Sequence, residues 1–272
     1  MLSNLMVQIG FSSDAEINEN MVRHMVLNTI RSLNVKFRKD YGELVIACDA
    51  QDCWRKEKFP YYKANRKRNV LKSKLDWTGI FAVMNNIREE LKAFTPYRVI
   101  HIHTAEADDI IATLIQTSKS KSPTLIISGD KDFIQLHRFP NVKQYDPTRK
   151  KFLSNANPER FLKEHVIKGD VGDGVPNILS PDNCLVIGQR QKVMTAGRLS
   201  SLMKTAPYDY DEDTRRNYQR NETVIDLLQI PVSLADAILE SYNEQGDKDS
   251  SLLMDYFAKH RLRSLFETVG DF

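Results

Sequence analysis

Short apolar runs that each finish at or just before a carboxylate, separated by helical stretches, constrain this chain more than any other feature. Glu43-Leu-Val-Ile-Ala-Cys-Asp49 ends in an acid, Arg98-Val-Ile-His-Ile-His103 precedes Glu106, and Thr124-Leu-Ile-Ile-Ser128 precedes Asp130. Continuous apolar runs of this length read as strands buried on both faces. Val142 to Tyr145 reads as a fourth strand. Helical periodicity fills the gaps: Met21, Val22, Met25, Val26 and Ile30 mark a helix over Asp14 to Arg38, and further helices span Ile80 to Phe94 and Glu106 to Thr117, with Thr104 as cap. A helical turn is expected at Ile134 to His137. Alternation of this kind predicts an α/β fold with a parallel central sheet flanked by helices. After about residue 155 the strand signals fade. Helices are expected at 158–167, 189–204, 212–228, 233–244 and 250–267, so the chain divides into an α/β domain over 1–157 and a helical C-terminal region over 158–272.

The acids gather where such a fold places its ligands, at the carboxyl ends of the strands. Asp49 ends the first run, Asp130 and Asp132 follow the third, and Glu106, Asp108 and Asp109 open the helix after the second. Asp170 and Asp173 lie in the turn Gly169-Asp-Val-Gly-Asp-Gly-Val-Pro176. Each group has an ordinary explanation. Acids in a first helical turn complement the helix dipole, and aspartates are common turn residues. Together, however, they form a mutually repelling cluster that a divalent cation would relieve. Oxygen-only ligation suits Mg²⁺ or Mn²⁺. The pair His101 and His103 lacks a third ligand in sequence and reads as structural.

Charge is distributed unevenly. The whole chain carries only +3, whereas Trp54 to Lys74 alone carries +8, with Glu57 its single acid. Phe59-Pro-Tyr-Tyr-Lys-Ala-Asn-Arg66 interleaves aromatics with cations. Cations suit phosphates, and Tyr61 or Tyr62 could stack on unpaired bases. The bland alternative is a solvated surface helix.

Composition excludes several classes. No apolar run is long enough for a membrane span or a signal peptide, so a soluble protein without membrane contact is expected. Three cysteines, Cys48, Cys53 and Cys184, make no disulfide framework and fit a reducing cytoplasm as free thiols.

In order and spacing these pieces resemble the 5′ nuclease and flap endonuclease superfamily: Asp49, Phe59-Pro-x-Tyr-Lys-x-Asn-Arg66, Glu106-Ala-Asp-Asp109, Ser128-Gly-Asp-Lys-Asp-Phe133 and Gly169-Asp-x-x-Asp-Gly-Val-Pro176. Met21 to Asn28 and Gln135 to Gln144 resemble the RNase H branch found in T-even phages. The resemblance implies a PIN-like fold and a 5′-3′ exonuclease or flap endonuclease that removes RNA primers and DNA at 5′ ends during lagging-strand replication. It implies two Mg²⁺ ions, with Mn²⁺ as substitute. Asp49, Glu106, Asp108, Asp109 and Asp130 would surround one, and Asp132, Asp170 and Asp173 the other. Residues 54–76 would form a helical arch around the 5′ single strand, with Lys63 and Arg66 on the scissile phosphate. Arg55, Lys56, Lys58, Tyr62, Lys67 and Arg68 would be further DNA contacts. A helix–turn–helix element near 166–180, with Lys168, Gly172 and Gly174, would grip duplex backbone, although Asn177 stands where many relatives have glycine. Implied partners are DNA and RNA–DNA hybrids with a 5′ end or flap, and a single-stranded-DNA-binding protein and sliding clamp of a replisome. The family opens on a strand that ends in a metal-binding Asp. Met1 to Ile9 resembles the helix after it, so that strand and its carboxylate are expected to be missing. The alternative function is therefore a catalytically impaired protein that binds DNA structures. Against a PIN-fold ribonuclease stand the basic segment and the Gly-Asp-x-x-Asp turn.

Overall fold

The structure is a computed structural model that describes residues 18–66, 76–118, 122–246 and 250–272. The expectation for Met1 to Ile9, the start of the first helix at Asp14, and the basic residues Lys67, Arg68, Lys72 and Lys74 lie outside the described residues. In chain order the elements are α1 (Glu19–Tyr41), β1 (Val45–Ala47), α2 (Arg55–Lys58), α3 (Trp77–Phe94), β2 (Arg98–Ile100), α4 (Ala107–Thr117) and β3 (Thr124–Ile127). A 3-10 helix (Asp132–Arg138), β4 (Val142–Asp146), β5 (Lys151–Leu153) and α5 (Pro158–Lys168) follow. The remaining α-helices are α6 (Ala196–Lys204), α7 (Glu212–Ile225), α8 (Val232–Glu244), α9 (Leu252–Lys259) and α10 (Arg263–Phe266). None of the helices described is long and apolar enough to cross a membrane.

Local chemistry sets several boundaries differently from the sequence pattern. The cap of α4 is Glu106, not Thr104. Thr104 has a left-handed φ of 66° and its carbonyl accepts from the Trp54 amide at 3.0 Å, which holds the chain in a turn. Glu106 and Asp109 instead form a reciprocal capping box. The helix expected over 189–204 starts only at Ala196, where the Thr195 hydroxyl accepts from the Arg198 amide. The last expected helix breaks in two around Arg261, whose φ is 55°. Strand β5 has no counterpart in the sequence pattern. It pairs antiparallel with β4 because Asp146 accepts from the amides of Thr148 and Arg149, at 2.9 and 3.0 Å, and so turns the chain back.

The α/β class holds, but the described strands pair as two sheets rather than one. β1 pairs parallel with β2, and β3, β4 and β5 form a second sheet in that order. Strand–helix alternation predicts parallel neighbours without fixing which strands share hydrogen bonds.

The chain forms two compact units. One unit comprises the described residues of Met1–Cys48, Ser73–Ile102 and Asp236–Phe272, and the other those of Asp49–Lys72 and His103–Ala235. In the first, Val22, Val26, Leu27 and Ile30 of α1 pack with Ile80, Ile87 and Leu91 of α3 and with Leu253, Tyr256, Phe257 and Leu265 near the C-terminus. These positions recur at helical spacing, so burying one face of each helix is what fixes this core. In the second, Ala112 and Ile115 of α4 pack with Ile126, Phe133, Leu136, Val142 and Leu227.

Candidate active site

All the carboxylates singled out in the sequence fall in the second unit, and backbone chemistry positions each group. Asp49 follows β1, and its Oδ1 accepts from the Ala107 amide at 2.8 Å, at the amino end of α4. Glu106, Asp108 and Asp109 are in that helix's first turn or cap. Beyond β3, the Asp130 amide donates to Ser128 Oγ at 3.1 Å and the Asp132 amide to Asp130 Oδ1 at 3.0 Å. The buried Gln144 amide locks this loop by donating to the carbonyls of Ser128 and Asp130. In the glycine turn, Asp170 Oδ1 accepts from the Asp173 amide at 3.1 Å. Gly169 has φ 69°, and a Cβ there would meet Pro176 backbone at 2.5 Å, so only glycine fits. Asn177 is hydrogen-bonded into this element. Its Oδ1 accepts from the Leu179 amide and the Ser180 hydroxyl, and its Nδ2 donates to the Lys192 carbonyl.

The cations sort into inward and outward sets. Arg55 is 1% exposed. Its guanidinium pairs with Glu106 at 2.9 Å and Asp109 at 2.7 Å, and its Nε donates to the Val224 carbonyl of α7. Tyr62 is also buried, and its hydroxyl lies 3.1 Å from Glu106 Oε2 and 3.0 Å from Asp173 Oδ2. The resemblance implies both as DNA contacts; in the structure both are buried and hold carboxylates from within, because buried acids need partners and a four-residue helix can aim a side chain either way. Trp54 Nε1 donates to Asp109 as well, so Asp109, 0% exposed, is tied to Arg55, Trp54 and its own capping box rather than facing open space with the other acids. Lys63 spans the two sets, with its ammonium on Glu106 and 3.6 Å from Asp173. Arg66 is exposed and pairs with Asp173 at 2.5 Å. Lys56 is half-buried beside Asp52, and Lys58 is exposed. Lys168 pairs with Glu164 one turn back along α5, while Gly172 is exposed and Gly174 is buried against the Tyr61 carbonyl.

Electrostatics divides the acids into two neighbourhoods that meet at Asp130. Burial pushes Asp108 up to about 8, and the charges of Asp130, Asp49 and Glu106 add to the rise against Lys63. Burial also raises Asp132 to about 6, helped by Asp130, Asp170 and Asp173 and opposed by His165. Glu106 is the opposite case. Burial alone would raise it, but Lys63 and Arg55 bring it down to about 2. Asp170 is lowered, first by its hydrogen bond with His165. Burial and Glu106 raise the Cys53 thiol to about 12, so it stays protonated and donates to Glu106 Oε2 at 2.9 Å.

Asp108, Asp132, Asp170 and Asp173 line a cavity of about 20 Å³, closed by Arg55 and Tyr62. About 10–15 Å³ is enough for a single water-sized occupant. A larger cavity of about 650 Å³, lined by Ile178, Lys192, Arg198 and Asn217 among others, contains none of these acids. Among the described residues, Asp132, His165 and Asp170 bring ligand atoms within 4.8 Å of one another. Sequence reasoning missed His165. Its signal is its place in the last turn of α5, five residues before Asp170. His101 and His103 are not in that group. Repelling acids, a cavity of ionic size and an oxygen-rich donor set all fit a divalent cation.

Comparison with known proteins places this arrangement in context. The description "5′-3′ exonuclease, N-terminal resolvase-like domain" matches residues 8–167, and "T4 RNase H, C terminal" matches residues 157–272. Ribonuclease H of Enterobacteria phage T4 is 33% identical over 277 residues, covering 97% of this chain and 90% of that protein. Flap endonuclease Xni of Shewanella sp. (strain MR-4) is 34% identical over 134 residues, which is 46% of this chain and 48% of Xni. Among solved structures, a variant of the bacteriophage T5 flap endonuclease in a pseudo-enzyme-product complex with DNA and metal ions has a TM-score of 0.62 at 16% identity, covering 90% of this chain and 97% of that one. T5 5′-exonuclease with bound zinc has a TM-score of 0.60 at 18% identity, covering 82% and 89%. These two structures share the fold.

Proposed function

The chain belongs to the 5′-3′ exonuclease family, and on that premise we propose that it hydrolyses phosphodiesters at 5′ ends and 5′ flaps, using Mg²⁺ held by the carboxylates of the second unit. The observation that carries this reading is the gathering of Asp108, Asp132, Asp170 and Asp173 around one small cavity, where burial first and neighbouring carboxylates second raise Asp108 to about 8 and Asp132 to about 6. Two neighbourhoods meeting at Asp130 suit two ions, with Asp49, Asp108 and Asp130 around one and Asp132, Asp170 and Asp173 around the other. Divalent cations, when bound, supply Lewis-acid stabilisation of phosphate charge and lower the pKa of water.

The chain's own residues do the rest. Arg55 and Tyr62 fix Glu106, and the capping box fixes Asp109, so the floor of the site is held in place before substrate arrives. Arg66 stands at the exposed side with N–H groups for phosphate oxygens, and the more enclosed Lys63 ammonium lies beside it between Glu106 and Asp173. The exposed Lys58 extends the positive surface along which a strand would run. RNA–DNA hybrids belong among the substrates by likeness to a ribonuclease H. A replisome setting, with a single-stranded-DNA-binding protein and sliding clamp, is the corresponding context for a primer-removing member.

The double variant Asp130→Asn/Asp132→Asn tests this. It should lose Mg²⁺-dependent cleavage of a 5′-flap substrate by about 100-fold or more, the scale of removing a key electrostatic group. Flap binding should persist. Undiminished cleavage by the double variant refutes the reading. Binding without cleavage by the unaltered chain would instead support the alternative of a DNA-structure-binding relative.

A further inference from the structure

His165 stands apart from the acids around it. It lies in the last turn of α5, where Phe161 one turn earlier packs edge-on against its ring at a centroid distance of 6.0 Å. Its two nitrogens face two different carboxylates: Nδ1 is 3.5 Å from Asp132 Oδ1, and Nε2 is 3.4 Å from Asp170 Oδ2. Nδ1 is buried and has no hydrogen-bond partner among the described residues. Donor atoms sharing one ion at bond lengths near 2.1 Å sit about 3.0–3.5 Å apart. A buried nitrogen at that separation from a carboxylate oxygen is spaced as two ligands of one ion would be.

We propose that His165 Nδ1 is a ligand of the divalent cation bound by Asp132, with the Nε2–H donated to Asp170 to fix the ring. The proposal rests on the metal-dependent reading above and extends it to the identity of the ion. A carboxylate holding the far nitrogen of a ligating imidazole sets the tautomer and raises the basicity of the other nitrogen. One imidazole among oxygen donors shifts selection away from Mg²⁺, which demands oxygen ligands, toward ions later in the Irving–Williams order such as Co²⁺. This site therefore prefers Co²⁺ or Mn²⁺ over Mg²⁺ more strongly than the all-oxygen neighbourhood around Asp49 and Asp108.

Pulsed electron paramagnetic resonance of the full chain loaded with Mn²⁺ reads the bond directly. Electron spin echo modulation from a coordinated ¹⁴N should appear in the unaltered protein and vanish in His165→Gln. Calorimetry should show the ratio of Co²⁺ to Mg²⁺ affinity falling by about tenfold or more, since loss of outer partners alone costs 10–100-fold. His165→Asp supplies an oxygen in place of the nitrogen. It should bind Mg²⁺ at least as well as the unaltered chain and show no ¹⁴N modulation, and circular dichroism of the metal-free variants checks their folding. Absence of ¹⁴N modulation while Asp132→Asn still abolishes Mn²⁺ binding and cleavage would overturn this proposal and leave the proposed function standing. Modulation that persists in His165→Gln assigns the nitrogen elsewhere and also overturns it. Mn²⁺ binding and cleavage both unaffected by Asp132→Asn would overturn the metal-dependent reading itself.

Discussion

The two compact units each join an arginine, a glutamate and a tyrosine in one network, yet the acids beyond that network differ. In the first, Arg23 makes two hydrogen bonds to Glu90, at 2.6 and 2.7 Å, and the Tyr256 hydroxyl donates to Glu90 at 2.7 Å. In the second, Arg55 and the Tyr62 hydroxyl meet on Glu106 at 2.9 and 3.1 Å. Both glutamates are lowered despite burial, which opposes the shift: Glu90 by its hydrogen bonds to Arg23 and Tyr256, and Glu106 by the charges of Lys63 and Arg55. What differs is the remainder. Around Glu90, Glu19 adds one further carboxylate, and it too pairs with Arg23. Around Glu106 further acids exceed the cations, and Asp108 and Asp132 are raised. A buried arginine–carboxylate pair is therefore no mark of function by itself. The uncompensated acids beside it are.

Removing each arginine should separate the two roles most sharply. Arg55→Ala strands Glu106 and Asp109 as buried charges and should destabilise the fold by about 3–5 kcal/mol, with loss of cleavage even in the folded fraction. Arg23→Ala exposes a less enclosed Glu90, with a side chain 17% exposed, and removes charged hydrogen bonds. It should cost about 1.5–3 kcal/mol while the folded fraction cleaves normally. Urea titrations with flap cleavage in parallel measure both. Equal loss of cleavage in the two variants would erase the distinction.

Acid–base behaviour gives a second, smaller contrast. Asp108 at about 8 and Asp132 at about 6 lie above the ordinary carboxylate value, and His165 is raised too, its hydrogen bond with Asp170 and the Asp132 charge overcoming burial. The folded state thus binds more protons than the unfolded chain above about pH 4. Stability from these groups is present at low pH and lost as pH rises toward 8. Glu90 and Glu106 act the other way: their contribution is present above the unfolded carboxylate pKa and lost as pH falls below about 4. Without divalent ions, the melting temperature should fall from pH 5 to pH 8. Asp108→Asn should flatten that slope and Glu90→Gln should leave it. A melting temperature that rises with pH over this interval would contradict the surplus-charge account.

The same contrast explains what the sequence could and could not reveal. Asp49, Asp130 and the Glu106 to Asp109 group were legible because strand ends and a helix's first turn fix where their Cα atoms go. The direction of Arg55 and Tyr62 was not, since a four-residue helix and an aromatic pair carry no periodicity that separates inward from outward. His165 was hidden because an imidazole in a helix's last turn has an ordinary explanation in the helix dipole. Strand β5 was hidden by Lys150 and Lys151 and by Phe152, which is 52% exposed, so it lacked an apolar run. The division into two sheets, and the packing of Asp236–Phe272 with α1 and α3, depend on contacts between residues distant in sequence, which no local pattern encodes.

Arg66 offers the finest test, because its contribution to folding should be almost nil. Its side chain is 59% exposed, so the arginine end of its 2.5 Å ion pair with the half-buried Asp173 is solvated. Such pairs contribute about 0–1 kcal/mol. Any sizeable consequence of Arg66→Ala therefore reports on what the guanidinium does for substrate. If it contacts one phosphate of a 5′ single strand, its removal should weaken binding at low salt and reduce the slope of log affinity against log salt by about 0.7. Cleavage should slow more than duplex binding weakens. Arg31 is the control from the other unit: it too forms a partly exposed ion pair, with Asp271 at 3.1 Å. Arg31→Ala should leave the salt slope unchanged. Fluorescence anisotropy of a labelled 5′-flap oligonucleotide across a salt series measures both variants. If Arg66→Ala left the slope where it was, or if Arg31→Ala moved it equally, the outward cations of the second unit would be an ordinary solvated face, and only the inward set would distinguish that unit from the first.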